Sequence, residues 1–167
     1  VAQDSKVAKK GDYILSWTTT PWTLPGNVAL AVGEKIDYAR IKIASDYYIL
    51  AENLVSKIFA DTAVDGSQKF AGKDLVGTTY EPLFPGVITA DDKEAFEVVP
   101  ASFVSTTDGT GVVHTAVMYG VDDFELGQQF NLPQEHSVDL GGKFLPTVSG
   151  FAGMFVKGKT TEEKLIA

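Results

Sequence analysis

A mainly β fold is what this sequence of 167 residues predicts, and three observations predict it. Val, Ile, Thr, Tyr and Phe recur in short runs rather than in long stretches of helical period. Sixteen glycines and seven prolines interrupt those runs often, which suits short strands joined by turns. A hydrophobic content of 44% in a chain of this length fits one compact domain with a sizeable core. The expectation is therefore a single domain over residues 1–167.

The elements follow in order. Residues 1–11, rich in Lys and small polar residues, read as a flexible lead-in. Residues 13–18 alternate as a strand, after which Pro21 and Pro25 impose a turn before a second strand at 27–32. Residues 38–44 and 47–51 form a hairpin turning at Ser45 and Asp46, and Leu54, Val55, Ile58 and Phe59 then fall at helical spacing. Between 69 and 104 several short strands are broken by Gly72, Gly77, Pro82, Pro85, Gly86 and Pro100, a spacing that suggests a barrel or a sandwich. Gly109 and Gly111 lead into a strand at 112–115. A second helix is expected over 122–131, with Asp122 and Glu125 as a capping-box-like pair and Phe124 and Phe130 turned to the core. Short strands around Phe144 and Phe155 precede a charged end, and no repeat or low-complexity segment is present.

Composition removes several chemistries. Without cysteine there is no disulfide, no Cys-ligated zinc and no thiol nucleophile, in keeping with a reducing, cytoplasmic setting. No apolar run approaches the roughly 20 residues that span a bilayer, and the first residues lack a signal-peptide core. A soluble chain without membrane contact is expected. The net charge of −8 argues against tight, independent nucleic-acid binding, because that affinity comes mostly from Lys and Arg on phosphates. Arg40 is the one arginine. If RNA is the substrate, most phosphate contacts must come from protein outside this chain.

Two segments carry a specific signal: WTTTPWTLPGN at 17–27 and GTGVVHTAVMYGVDDF at 109–124. Together they resemble isoleucyl-tRNA synthetase, in the editing (CP1) insertion that hydrolyses misacylated tRNA, and the resemblance runs from about residue 13 to residue 155. It implies a closed β-barrel core with peripheral α-helices. The implied activity is hydrolysis of valine wrongly esterified to isoleucine tRNA. The implied partners are the 3′ acceptor end of tRNA(Ile) carrying valine and the rest of the synthetase in cis, with the isolated domain monomeric. His114 stands where the valyl enzymes usually carry lysine, which favours the isoleucyl branch. Val117 stands where the family usually has proline, and Val121 where an acidic residue or proline is common. Neither a HIGH-like nor a KMSKS-like motif is present, so ATP and Mg belong to a synthetic site that this chain lacks, and editing itself needs no cofactor.

The need for a second site is physical. Valine lacks one methylene of isoleucine, a difference worth only about 1–3 kcal/mol in a pocket, so the smaller product must be removed by a separate sieve. Such a sieve requires a pocket, an anchor for the α-ammonium group and hydroxyls that place a water at the ester carbonyl. Asp123 is the ammonium anchor, through a charge-assisted hydrogen bond. The competing reading is an acid that serves only the helix dipole. His114, at a strand end, closes the pocket or contacts the terminal adenosine, against a purely structural strand histidine. It is not assigned as a general base, for no Ser-His-Asp or Cys-His arrangement is evident. His136 is read as a surface residue. Thr18, Thr19, Thr20 and Thr23 supply hydroxyls for the ester, the ribose and the water, although half of them would serve strand propensity alone. Trp22 is an apolar wall or a stacking surface for adenine, with core packing as the alternative, and Asn27 braces the loop. Gly109 and Gly111 permit a tight turn rather than cradling a phosphate. No metal-ligand spacing is recognisable. Two rivals remain open: a non-catalytic insertion that only holds the acceptor end, and a valyl-enzyme editing domain acting on Thr-tRNA(Val).

Overall fold

The computed structural model describes residues 1–88 and 95–157. The chain divides into two compact units. The first comprises Val1–Thr19, Ala29–Glu81 and Ala95–Thr115, and the second comprises Thr20–Val28, Pro82–Glu94 and Ala116–Ala167.

The first unit holds the strands. Strand β1 (Tyr13–Ile14) pairs in parallel with β4 (Asp46–Ala51). Strand β4 is antiparallel to β3 (Asp37–Ile43), and β3 to β5 (Gly66–Ala71), giving the order β1-β4-β3-β5. A second sheet has β2 (Ala29–Val32) at its centre, parallel to β6 (Glu97–Pro100) and antiparallel to β7 (Val112–Thr115). Every residue of β2 is buried, as its unbroken Ala-Leu-Ala-Val run requires of a strand covered on both faces. One core draws on both sheets: Leu30 and Val32 of β2, Val98 of β6 and Val112 of β7 pack with Tyr38, Ile49 and Phe70 of the other sheet. Among the described residues neither sheet closes on itself, so the mainly β class holds while the sheets are open.

The hairpin turns one residue earlier than expected, at Ala44 and Ser45, because β4 already pairs from Asp46. The predicted short helix is a 3-10 turn, Glu52–Leu54, running into α1 (Val55–Ile58). Between 69 and 104 only β5 and β6 are strands among the described residues, fewer than the turn spacing suggested; residues 89–94 lie outside them. The predicted first strand shortens to β1 plus a single-residue bridge from Trp17 to Val113.

The largest correction concerns residues 1–11. They are packed rather than frayed: Val7 and Ala8 are buried in the shared core, and the Ala2 amide donates to the Thr79 carbonyl. Asp12 explains the arrangement. Its carboxylate accepts the Lys9 amide at 2.7 Å and a two-pronged ion pair from Arg40 Nε at 2.6 Å and Nη2 at 2.8 Å. The polar look of the segment hid two apolar residues and one buried acid.

The second unit contains α2 (Val121–Gln129), three-residue and six-residue 3-10 turns, and the antiparallel bridges Val138 to Phe144 and Lys143 to Phe155. No helix among the described residues is long and apolar enough to cross a membrane. The helix begins before Asp122: Gly120 is its N-cap, without a side-chain cap hydrogen bond, so the expected capping by Asp122 does not occur. Leu126 and Gly127 are the buried residues of α2, whereas Phe124 is 39% exposed and does not face the core as expected.

Candidate functional site

The threonine-rich motif divides between the units. Thr18 and Thr19 close the leading segment of the first, and Thr20 opens the second. Thr18, Thr19 and Thr20 stand in the connection after β1 rather than on a strand, so strand propensity does not account for them. Pro21–Gly26 forms a 3-10 turn, with Pro21 at its start where a missing N–H costs nothing. Thr23 is buried there; its hydroxyl donates to the Thr20 carbonyl at 2.8 Å and lies 3.4 Å from the Thr20 hydroxyl. The Asn27 amide closes the turn on the Leu24 carbonyl.

Within the second unit this turn and helix α2 pack on one element. Gly26 lies against the Tyr119 ring, so close that an added Cβ would stand 3.1 Å from it. Tyr119 ends the Val117–Tyr119 3-10 turn, whose Val117 packs on Gly127 of α2, where an added Cβ would meet Val117 at 2.6 Å. Val117 begins a regular 3-10 turn, a position that proline would also accept. Tyr119 itself was not foreseen as important. Its hydroxyl accepts the Ser137 and Val138 amides at 2.7 and 3.0 Å, and the His136 ring meets its edge.

Asp123 occupies the first turn of α2, two residues beyond the first helical position. Its carboxylate folds back over the N-cap glycine: a Cβ at Gly120 would lie 2.6 Å from Asp123 Oδ2. Burial first, and the neighbouring Asp122 second, push its pKa up to about 6. Lost hydration and a like charge nearby both disfavour the ionised form.

His114 lies in the first unit on β7, opposite Leu30 of β2, and is 8% exposed. Burial lowers its pKa to about 4, so it is a neutral imidazole at neutral pH. The strand is preceded by a turn that only glycine permits. Gly111 has φ +73, and an added Cβ would meet Ala51 Cβ at 2.4 Å. Its carbonyl accepts the Tyr38 hydroxyl at 2.6 Å.

A cavity of about 440 Å³ opens in the second unit. Trp22 and the two prolines of the turn line it together with Phe84, Phe144, Phe151 and Phe155. The Lys157 ammonium stands 4.8 Å from the Trp22 ring centroid, a cation–π contact. Trp22 is the one predicted site residue that lines this cavity; Asp123, Thr20, Thr23 and Asn27 do not. Sequence reading missed the phenylalanines because they are far apart in the chain. No group of three or more His, Asp or Glu among the described residues is placed to hold a metal ion.

No family model matches the chain. Its fold is that of synthetase editing domains. The crystal structure of GlLeuRS-CP1 superposes with a TM-score of 0.59 at 24% identity, over 70% of this chain and 43% of that one. The P. knowlesi cytosolic leucyl-tRNA synthetase editing domain superposes at 0.51 and 16% identity, over 71% and 52%. The sequence is more specific. The isoleucine–tRNA ligase of Clostridium novyi is 46% identical over 153 residues, 89% of this chain and 14% of the ligase. That of Bdellovibrio bacteriovorus is 43% identical over 148 residues, 86% and 14%. The chain is a homologue of isoleucine–tRNA ligases and spans about 14% of the length of the relatives it matches.

Proposed function

We propose that the chain is an editing module that hydrolyses the ester of valine mischarged on tRNA(Ile), using a positioned water with neither metal nor covalent intermediate. One observation carries the reading. In the second unit, the Pro21–Gly26 turn packs on Tyr119 through Gly26, and α2, whose first turn carries Asp123, packs on Val117 through Gly127, so one short element supports both the hydroxyl loop and the helix that bears the carboxylate. Asp123 binds the α-ammonium of the valyl group, and the raised pKa supports this because a cationic ligand restores the charge that burial disfavours. Thr20 and Thr23, with Thr18 and Thr19 by resemblance, orient the ester and the water. His114, uncharged, closes the sieve against isoleucine. Trp22 serves the nucleoside rather than the amino-acid side chain: a cavity of about 440 Å³ is too roomy to resolve one methylene. Its aromatic walls suit a base.

Closure of the two sheets into a barrel belongs to the same reading. The bridge from Trp17 to Val113 supports it by joining the continuation of β1 to β7, an edge of the other sheet. The acceptor end of tRNA(Ile) and the remainder of the ligase are the partners, in the cytoplasm, with the module itself monomeric.

The test is release of valine from Val-tRNA(Ile) by a full-length isoleucine–tRNA ligase carrying this segment. Asp123→Ala is expected to lower kcat/KM about 100-fold, the value of a lost charge-assisted contact. Equal rates would remove Asp123 as anchor. The natural rate should rise through pH of about 6, as Asp123 ionises. It should fall again as the substrate amine loses its proton near pH 7–8, by analogy with a free α-amino group. His114→Ala is expected to admit Ile-tRNA(Ile); unchanged discrimination would exclude it from the sieve. Thr-tRNA(Val), tried in parallel, separates the valyl alternative.

A further inference from the structure

Tyr119 is placed to govern the hydroxyl loop from outside it, because three parts of the second unit meet on this residue. Its ring lies against Gly26, where an added Cβ would stand 3.1 Å from Cε2 and 3.3 Å from Ser137 Oγ. Its backbone ends the Val117–Tyr119 turn and leads directly into Gly120, the N-cap of α2. Its hydroxyl accepts the Ser137 amide at 2.7 Å and the Val138 amide at 3.0 Å.

Valence fixes the remaining bond of that hydroxyl. With both acceptor positions of the oxygen taken by amides, its own proton is left for Ser137 Oγ, 3.0 Å away. Ser137 is fully buried, and a buried amide that loses its acceptor is costly. The segment to which the hydroxyl is fastened is itself held. The Leu145 amide donates to the Ser137 carbonyl, the Asp139 amide donates to the Lys143 carbonyl, and Val138 bridges to Phe144. Tyr119 thus ties the Pro21–Gly26 turn to a hydrogen-bonded hairpin rather than to loose chain. The turn that rests on its ring holds Thr23, whose hydroxyl bonds the Thr20 carbonyl, and closes on Asn27.

We propose that Tyr119 is a positioning residue for ester hydrolysis, its hydroxyl setting where the Pro21–Gly26 turn holds Thr20 and Thr23 for the reacting ester and water. The assignment rests on the editing function proposed above. A misplacement of about 1 Å in a reacting geometry can lower a rate about 100-fold, so a brace acting through the turn is enough to control it.

In a full-length ligase carrying this segment, Tyr119→Phe deletes the hydroxyl and keeps the ring. Valine release from Val-tRNA(Ile) is expected to lose about tenfold in kcat with KM within about twofold, because geometry rather than affinity is disturbed. Charging of isoleucine at the separate synthetic site is expected to stay unchanged. An unchanged kcat overturns the proposal, as does an equal loss in isoleucine charging, which would mean a general loss of fold. Gly26→Ala approaches the same contact from the other side. Gly26 lies in a 3-10 turn without a positive φ, so the added methyl acts through the Tyr119 ring and Ser137 rather than through backbone strain. It is expected to lower kcat about tenfold in the natural ligase but less than about twofold when added to Tyr119→Leu, where the ring has gone. Independent, multiplying effects overturn the proposal.

The second experiment needs no catalysis. This chain has two tryptophans, Trp17 in the first unit and Trp22 in the turn. Labelled with fluorotryptophan, it gives two fluorine NMR signals, assigned with Trp17→Phe. Tyr119→Phe is expected to shift or broaden the Trp22 signal and to leave the Trp17 signal within its linewidth. An unmoved Trp22 signal, or equal changes in both, overturns the proposal. If the Trp22 signal responds while the natural ligase releases no valine, the editing reading fails and the hold of Tyr119 on the turn stands.

Discussion

Asp12 and Arg40 illustrate how one pair of residues constrains what the molecule is free to do. Asp12 is 4% exposed and carries a carboxylate that needs a partner wherever it is ionised. Arg40 supplies both prongs of a guanidinium fork and in addition lies 3.6 Å from the Tyr47 ring centroid. The hydrogen bonds to Asp12 raise the Arg40 pKa further above its already high value. Removing the cation would strand the acid, so Arg40→Ala is expected to lower unfolding stability by about 3–5 kcal/mol. Arg40→Lys should recover only part, because an ammonium cannot form the fork. Urea unfolding of the three proteins checks this, and a loss below about 1 kcal/mol for Ala would show the pair to be incidental.

Strand β7 and helix α2 bring two titratable groups into poorly hydrated positions with opposite consequences. The His114 pKa falls from 6.5 to about 4, so an unfolded chain binds the proton more tightly than the folded one. Stability from this group is therefore complete above pH 6.5 and is lost as pH falls toward about 4. The Asp123 pKa rises from 3.8 to about 6, so here the folded chain holds the proton more tightly, and stability declines as pH rises across that same interval. The two effects oppose each other between about 4 and 6 and conceal each other in the natural chain. Single variants expose them: His114→Gln should make thermal stability fall with rising pH across that range, and Asp123→Asn should make it rise. Parallel melting curves for all three proteins would contradict the burial of both groups.

At the scale of the whole molecule, the division of labour follows the two units. All seven strands among the described residues belong to the first, while α2, the Tyr119 turn and the aromatic cavity belong to the second. The acidic balance, a net charge of −8, opposes the approach of RNA phosphates. The isolated chain should therefore bind RNA no more tightly than roughly 10⁻⁴–10⁻⁶ M at about 0.15 M salt. Its affinity should also change little with salt, with a logarithmic slope shallower than about −3. Titration at several salt concentrations measures both, and a slope near −6 would mean that phosphate contacts were underestimated.

Local pattern alone determined a good deal. The Val112–Thr115 strand follows from its run of branched residues after two glycines, the hairpin from two alternating stretches, and the Pro21–Gly26 turn from its prolines. These features depend on neighbours a few residues away, which a sequence displays directly. The two quoted motifs pointed to isoleucyl-tRNA synthetase, and the chain's homology to isoleucine–tRNA ligases agrees with that resemblance. Capping of α2 at Gly120, exposure of Phe124, burial of Val7 and Ala8, and the Tyr119 hydroxyl on Ser137 were decided by tertiary structure. So was the cavity, whose phenylalanines at 84, 144, 151 and 155 come together with Trp22 only on folding. Each of these turns on contacts between residues far apart in the chain. Their free energy comes from water excluded by the packed whole, and no window of the sequence contains it.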